Sequence, residues 1–550
     1  MRKEYFEKYS ERASKGMHFT IPLNYEGRKR SERIAELRER LEKAVSEGKA
    51  AYPFRIADPE YVSWLTNIRG WDNEWTLAAN LKAELREDAF ILYADMNKLT
   101  DGLKGLLSAE GIELRELKEA EDASWNEAES DNVSSEKAEL FEMIPKHIKN
   151  EKEAENMRHA HDMEGVAAVR LMKWLKGMSP EELESIGEIE VSDKLEEIRN
   201  QIPGYICPSF DTIAAYNEHA SGIKIEDFHY DPTEETSVKL SNKGFFLLDF
   251  GAQYPGGTTD CTRTFALGKP DKEAKKHYTT VLKAVFGLSE ASFSRGVTGV
   301  GLDALSRRHI YRLGMDFGHG TGHGVGYMLN VHETPASVRP RIAKENADIL
   351  PLEEGMIFSV EPGIYLKGSY GIRLENLVLV QKDEELSKAA ADGFHDDFLR
   401  LETLTMVPYD MDAIDPALLT AEERTALDSH HRRVCERLKE YLTEEEYEWL
   451  ADFCKPKSEN YKFHQNKECE FFPCHKTDDP ENFNCLFCYC PLYALGEGCG
   501  GNFKILENGF KDCSGCLIPH RRAGYDYIIG KYPEIIELVN SVNQKRGEGK

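Results

Sequence analysis

No segment of this chain approaches the roughly 18 uninterrupted apolar residues that a membrane-spanning helix needs, so no membrane span is expected. Positive charge is also in deficit: 70 basic residues face 97 acidic ones, a formal net charge of −27. That balance argues against nucleic acid or an anionic membrane surface as the main partner. Met1–Met17 (MRKEYFEKYSERASKGM) has no apolar core of a secretory signal, and the cytoplasm is the expected compartment. No period of roughly 20–50 residues recurs, which excludes a solenoid. What is present is ordinary globular material, 41% hydrophobic and 30% charged.

At 550 residues the chain is too long for one core, and about two to four domains are expected. Residues 1–50 form a charged helical segment, with Ile34, Leu37, Leu41 and Val45 at helical spacing. Residues 51–150 read as a small α/β unit that ends in an acidic stretch, 119–153, expected to be a surface segment or linker. Within it YVSWLTNIRG and DAFILYADM look like strands, and LKAELRE and LTDGLKGLLSAEG like helices. A long amphipathic helix is expected over 152–177, with Val166, Val169, Leu171 and Trp174 on its buried side. Residues 151–407 then alternate strands and helices, 408–458 are helical behind Thr420, and 459–550 are rich in cysteine. The expected fold class is α/β (α+β).

Five residues inside 245–375 form a hard, oxygen-rich donor set: Asp249, Asp260, His323, Glu361 and Glu375. Four carboxylates and one imidazole suit two Mn²⁺-like ions that share bridging carboxylates. FFLLDFGAQYPGGTTDCTRTFALG (245–268) reads as two strands joined by a turn at Tyr254–Gly257. A hairpin brings Asp249 and Asp260 together, whereas one continuous strand would hold them roughly 36 Å apart. HGTGHGVGYMLNVHE (319–333) offers histidines among glycines that allow close backbone approach. Glu361 ends the apolar strand MIFSV before Pro362–Gly363, and Glu375 lies within GIRLENLVLV beside Arg373. Each residue alone has a bland reading as a turn cap, a structural histidine or a solvated acid. Together, on apolar strands where an unpaired carboxylate is costly, coincidence is a poor explanation. Two ions sharing a water would lower its pKa and yield a nucleophile at neutral pH, with Glu361 placed to take its proton and His332 to face the oxyanion.

The motifs LLDFGAQYPGGTTDCTRTF, HGTGHGVGYMLNVHE, GMIFSVEPGIY and GIRLENLVLV resemble the pita-bread metallopeptidases, and within them the long cytosolic X-Pro aminopeptidases. The resemblance covers about 155–450. It implies a pita-bread catalytic domain that uses two divalent ions, Mn²⁺ first, to hydrolyse the bond before a proline in second position. It assigns Asp249, Asp260, His323, Glu361 and Glu375 as metal ligands, with Glu375 bridging. It makes His229, in DFHYDP, a substrate-holding residue, His332 the group that stabilises the intermediate, His319 a second active-site histidine, and Arg373 an arginine beside the last ligand. Long family members carry two creatinase-like domains ahead of the catalytic one. IADPEYVSWLTNIRGWDNEW resembles the opening of the second, so the first is expected to be missing and the second truncated. Because those domains serve dimerisation and shape the cleft, a homodimer is one expectation. The alternatives are an X-Pro dipeptidase in the same fold and a noncatalytic pita-bread binding protein.

Twelve cysteines are present, eight of them between Cys469 and Cys516, and without an export signal such clustering reads as metal binding before disulfides. Cys485/Cys488 and Cys513/Cys516 have C-x₂-C spacing, and two such pairs suit one zinc. Cys469, Cys474, Cys490 and Cys499, with His475 and His520, complete a second site in this reading, although spacing does not fix the pairing. An iron–sulfur cluster is the rival, and buried reduced thiols are the bland reading. A segment with few apolar runs gains folding energy from a metal. It resembles the cysteine-rich small domain, and a docking partner for it is an open expectation. Cys261 alternates away from the metal site and is expected in the core.

Overall fold

The computed structural model describes residues 16–121, 125, 141, 143–221, 230, 232–341, 350–389, 397–455 and 462–547. His229 and most of the acidic stretch 122–140 lie outside the described residues. The chain divides into two units, Met1–Lys455 and Pro456–Lys550.

In the first unit the helix Arg30–Ser46 turns Leu37 and Leu41 into the same core as a four-stranded sheet. That sheet runs in the order Phe54–Ile56, Lys82–Leu85, Phe90–Ala94, Ile112–Glu116, with only the last pair parallel. Two local readings change here. Pro59–Thr66 is a helix rather than a strand, because Asp58 caps it by accepting from the Glu60 N–H at 2.8 Å and Pro59 opens its first turn. Aromatic and β-branched residues had pointed the other way, and the cap and burial of Tyr61–Thr66 override them. LKAELRE is a strand rather than a helix. Ala83 and Leu85 are buried, and Glu84 is buried as well, held by Arg55 at 2.9 Å and Arg86 at 2.6 Å.

The end of the supposed linker is also interior. Trp125, Phe141, Ile144, Lys146, His147 and Lys149 are all buried. Lys146 donates to Glu333 at 2.7 Å and Glu60 at 3.2 Å, and Lys149 donates to Glu333 and to the Val325 carbonyl, the latter at 2.6 Å. Charged residues were read as surface, and ion pairing takes them inside. Arg69, fully enclosed, donates to the Ser63, Tyr327 and Met328 carbonyls at 2.7, 3.0 and 2.9 Å, joining the short strand Ile68–Arg69, which pairs with Phe19–Thr20, to the loop ahead of His332.

The long helix Glu151–Lys176 is closed at its start by a capping box of Asn150 and Glu153. Val166, Val169 and Leu171 are buried and Trp174 is half-buried. Gly165 is required there, since a Cβ would sit 2.5 Å from the Met406 carbonyl oxygen. Behind it lie two antiparallel sheets. One orders Cys261–Ala266, Phe245–Phe250 and Ile213–Tyr216. The other orders Ser292–Ser294, Phe398–Thr403, Asn376–Lys382, Ile357–Val360, Gly322–Gly324 and Glu333–Val338. Helices Lys272–Ser289 and Gly299–Tyr311 add apolar residues to the core of the larger sheet. Thr420 caps Ala421–Leu438, as its sequence position predicts.

The second unit has little regular structure: two-residue strands Lys504–Ile505 and Lys511–Asp512, short 3₁₀ turns, and helices Gly524–Gly530 and Tyr532–Gly547. Its small apolar cluster centres on Leu492, Cys499 and Ile528. Among the described residues, no helix is long and apolar enough to cross a membrane.

Candidate metal centre

A cleft of about 190 Å³ gathers all five candidate ligands, together with His319, His332 and Arg373. Asp249 sits inside the strand Phe245–Phe250, opposite Thr262 on the partner strand. Asp260 differs from expectation: it precedes the strand Cys261–Ala266, so it reaches the site from the loop end of the hairpin rather than from within the ladder. Glu375 also differs. It occupies the two-residue break between Tyr370–Arg373 and Asn376–Lys382, where its N–H donates to the Thr262 carbonyl at 3.0 Å. Glu361 follows the strand Ile357–Val360, its N–H held by the Thr321 carbonyl at 2.8 Å. His323 lies in Gly322–Gly324 beside a register shift, and Gly322 there tolerates no side chain, because a Cβ would fall 1.7 Å from the Ser359 carbonyl oxygen.

Donor atoms of Asp260, His323 and Glu375 lie within 4.8 Å of one another. His323 Nε2 is 3.4 Å from Asp260 and 3.6 Å from Glu361. Its Nδ1 donates to the Gly324 carbonyl at 2.9 Å, which fixes the tautomer and aims the Nε2 lone pair into the cleft. Glu375 accepts from the Thr262 hydroxyl at 2.8 Å and Glu361 from the Ser359 hydroxyl at 3.1 Å. Arg373 donates to Asp249 Oδ2 at 2.5 Å, Thr262 at 3.0 Å and Tyr365 at 3.0 Å. Burial, then the neighbouring carboxylates, push Asp260 and Glu375 well above the carboxylate range. Burial also raises Glu361, against the pull of His323 and Arg373. The crowding is the signature of a site completed by cations. Asp249 Oδ1, buried and without a hydrogen-bond partner, points the same way. The donor set therefore fits divalent ions, with Arg373 orienting Asp249.

His332 is exposed at the rim, its ring 4.3 Å from that of His323 in an edge contact. His319 Nδ1 donates to the Gly320 carbonyl at 2.7 Å, so its Nε2 accepts from the Tyr365 hydroxyl at 2.8 Å. Burial and Arg373 hold that imidazole neutral, its pKa pushed down to about 3. Arg307 anchors the segment behind, donating to the His319 carbonyl at 3.2 Å and pairing with Asp303, which accepts from Thr321 at 2.6 Å. Sequence reading missed Tyr365, Thr262 and Ser359. Two had a signal: Thr262 faces Asp249 across the hairpin, and Ser359 precedes Glu361 by the two residues that share a strand face. Cys261, as expected, is packed in the core, where burial raises its thiol far above the usual range.

In the cysteine-rich unit Cys474, His475 and His520 bring donor atoms within 4.8 Å of one another. The two C-x₂-C turns have different neighbours. Cys474 is opposed in ionising by burial and then by Cys488, Cys485 and Cys469, while Cys490 is opposed by burial and then by Cys516, Cys499 and Cys513.

Four family models match the chain. Metallopeptidase family M24 covers residues 155–382, and the C-terminal region of peptidase_M24 covers 397–457. The Creatinase/Prolidase N-terminal domain covers 11–177, including the helix at 30–46, and the Cysteine-rich small domain covers 460–543. A Sordaria macrospora protein named Probable Xaa-Pro aminopeptidase P is 33% identical over 468 residues, spanning 80% of this chain and 74% of that one. Its namesake in Pyrenophora teres f. teres is 34% identical over 460 residues, spanning 78% and 67%. The crystal structure of X-prolyl aminopeptidase from Caenorhabditis elegans, described as a cytosolic enzyme with a di-nuclear active site, superposes with a TM-score of 0.69 at 30% identity, over 80% of this chain and 73% of that one. The fold, the ligand-bearing cleft and these relatives agree: the chain belongs to the Xaa-Pro aminopeptidase P group of metallopeptidase family M24.

Proposed function

We propose that the chain removes the N-terminal residue from peptides whose second residue is proline, using two divalent ions held by Asp249, Asp260, His323, Glu361 and Glu375. The observation that carries this reading is the convergence of four carboxylates and one tautomer-fixed imidazole on a single cleft. Bound there, the ion pair supplies Lewis-acid polarisation and a water acidified toward neutral pH. The Glu361 carboxylate, made more basic by burial, would take the proton of the attacking water and pass it to the prolyl nitrogen, which must be protonated before it leaves. His332 donates an N–H to the carbonyl oxygen as charge gathers there. Arg373 and Tyr365 hold Asp249 and His319 in place. Phe210, Ile213 and Val331 give the cleft an apolar wall for a pyrrolidine ring. We further propose Mn²⁺ as the native ion, a cytoplasmic location, a homodimeric state, and zinc rather than an iron–sulfur cluster in the cysteine-rich unit.

The test compares Arg-Pro-Pro with Ala-Pro after chelation and Mn²⁺ re-addition, with Glu361→Ala as the blank. Mn²⁺-dependent cleavage of the tripeptide, lost in the variant, is the expected result. Cleavage of the dipeptide alone would move the assignment to a dipeptidase. Cleavage of neither by a metal-loaded chain would leave a binding protein.

A further inference from the structure

The cysteine-rich unit contains two histidines whose rings are committed in the same sense. His520 Nδ1 donates to the Asn484 carbonyl at 2.9 Å, which leaves its Nε2 as a lone pair 4.0 Å from Cys474 Sγ. His475 Nε2 donates to the Cys513 carbonyl at 3.2 Å, which leaves its Nδ1 as a lone pair 3.2 Å from the same sulfur. Three acceptors thus face one point with a single thiol proton among them. A fold has no reason to aim two imidazole lone pairs at a sulfur unless a cation joins them. Cys488 lines one cavity with His475 and His520, and its turn is closed by the Cys488 N–H donating to the Cys485 carbonyl at 3.2 Å.

A cavity of about 180 Å³ is lined by Cys490, Cys499, Cys513 and Cys516 on one part of its wall and by Cys488, His475 and His520 on another. A Cβ on Gly501 would lie 2.9 Å from Cys516 Sγ and 3.5 Å from Cys499 Sγ, so this glycine is what lets both sulfurs approach. Cys499 Sγ accepts from the Gly501 N–H at 3.3 Å and from Lys511 Nζ at 2.9 Å. The Cys513–Cys516 turn is closed by an N–H to carbonyl bond of 2.9 Å.

We propose that the unit holds two ions in separate sites, one nested inside the other along the chain: Cys490, Cys499, Cys513 and Cys516 enclose the inner one, and Cys474, His475, His520 and a thiolate of the Cys485–Cys488 turn enclose the outer. The two C-x₂-C turns therefore serve different ions, contrary to the pairing that their spacing suggests. This partition rests on the zinc reading given above, and the experiment below tells the failure of one from the failure of the other.

The experiment counts thiolate-held zinc in the full-length chain. The protein is dialysed against EDTA to strip the catalytic centre, and zinc is then released with a mercurial and titrated colorimetrically. Two equivalents are expected for the natural chain and one each for Cys490→Ser and Cys513→Ser. One is still expected for the Cys490→Ser/Cys513→Ser pair, because both belong to one site, and none for Cys474→Ser/Cys513→Ser. If Cys490→Ser/Cys513→Ser releases none, the partition is wrong and the C-x₂-C turns share an ion. Iron with acid-labile sulfide, or no metal at all, would overturn the zinc reading beneath it. Should a variant fail to fold, Co²⁺ titration of the natural chain decides. Two spectra should appear in succession, one with about twice the thiolate charge-transfer intensity of the other, as a four-to-two sulfur count dictates. A single spectrum throughout refutes the partition.

Discussion

Replacing Glu333 by Gln tests whether buried charge holds the candidate site's His323 and His332 in place. Glu333 is buried, directly follows His332, and pairs its backbone with Gly324, the neighbour of His323. Its carboxylate accepts from Lys146 at 2.7 Å and from Lys149, both themselves buried. Burial alone would raise Glu333, and the two ammonium groups reverse that, so it is ionised at neutral pH. Removing one partner of a buried pair costs about 3–5 kcal/mol, because the remaining charge is stranded. Here Lys146 keeps Glu60, and Lys149 keeps the Val325 carbonyl and the attraction of Glu153, so the loss belongs near the lower end, about 3 kcal/mol. Adding Lys149→Met removes the stranded cation and should restore about 1–2 kcal/mol. The measurement is the urea midpoint of the catalytic unit's transition in the two single variants and the double, with kcat/KM on an X-Pro tripeptide in parallel. Activity should fall about tenfold or more in Glu333→Gln, with weaker metal affinity, because the His323 strand loses its brace. A loss below about 1 kcal/mol, or strictly additive effects, would show that the pairs do not brace the site.

Tyr365→Phe removes the hydroxyl that joins Arg373 to His319, so kcat/KM should drop about 10- to 100-fold with the metal content intact; unchanged kinetics would remove the hydroxyl from the mechanism. Chelation should lower the melting temperature of the catalytic transition by the linkage of bound ions, about 2.7 kcal/mol at a hundredfold excess over Kd. Glu375→Ala should make that transition indifferent to EDTA, and a chelator response equal to the natural chain's would take Glu375 out of the ligand set. His161 is buried, and desolvation lowers its pKa to about 4. The unfolded chain therefore takes up that proton first, and stability is lost as pH falls from about 6.5 toward 4. At pH 5 the cost is about 2 kcal/mol, so His161→Gln should lose less stability than the natural chain between pH 7.5 and pH 5, and parallel curves would contradict it.

Among the candidate ligands, Asp249 and Glu361 were legible because each sits toward the end of an apolar strand, where burial of a carboxylate calls for a partner. The positions of Asp260 and Glu375 were less so, since each falls in a break of the ladder that no alternation reveals. Tyr61–Thr66 misled because its side chains favour strands while the signal that decides, Asp58 followed by Pro59, occupies two residues. Residues 144–149 misled for a different reason. Lysine and histidine look alike in sequence whether solvated or paired, and only the fold supplies Glu333 and Glu60. The cysteines show the same limit, for spacing marks the two C-x₂-C turns and leaves open which other side chains lie beside each. His229 lies outside the described residues, and its assignment rests on resemblance.

Arg69 reads main chain and nothing else: three of its bonds end on the carbonyls of Ser63, Tyr327 and Met328. Carbonyl oxygens are common to every residue, so this staple leaves the side chains of the loop free to drift while it fixes the path the loop must take. The constraint falls unequally on the two partners. A lysine offers one ammonium where a guanidinium spans carbonyls in several directions, so Arg69 has no ready substitute, whereas the loop it holds has many. The strand pair Phe19–Thr20 and Ile68–Arg69 is therefore inherited with the candidate cleft as one part of it, and a fragment beginning at the long helix would carry every candidate metal ligand yet lack the guanidinium that holds the loop ahead of His332.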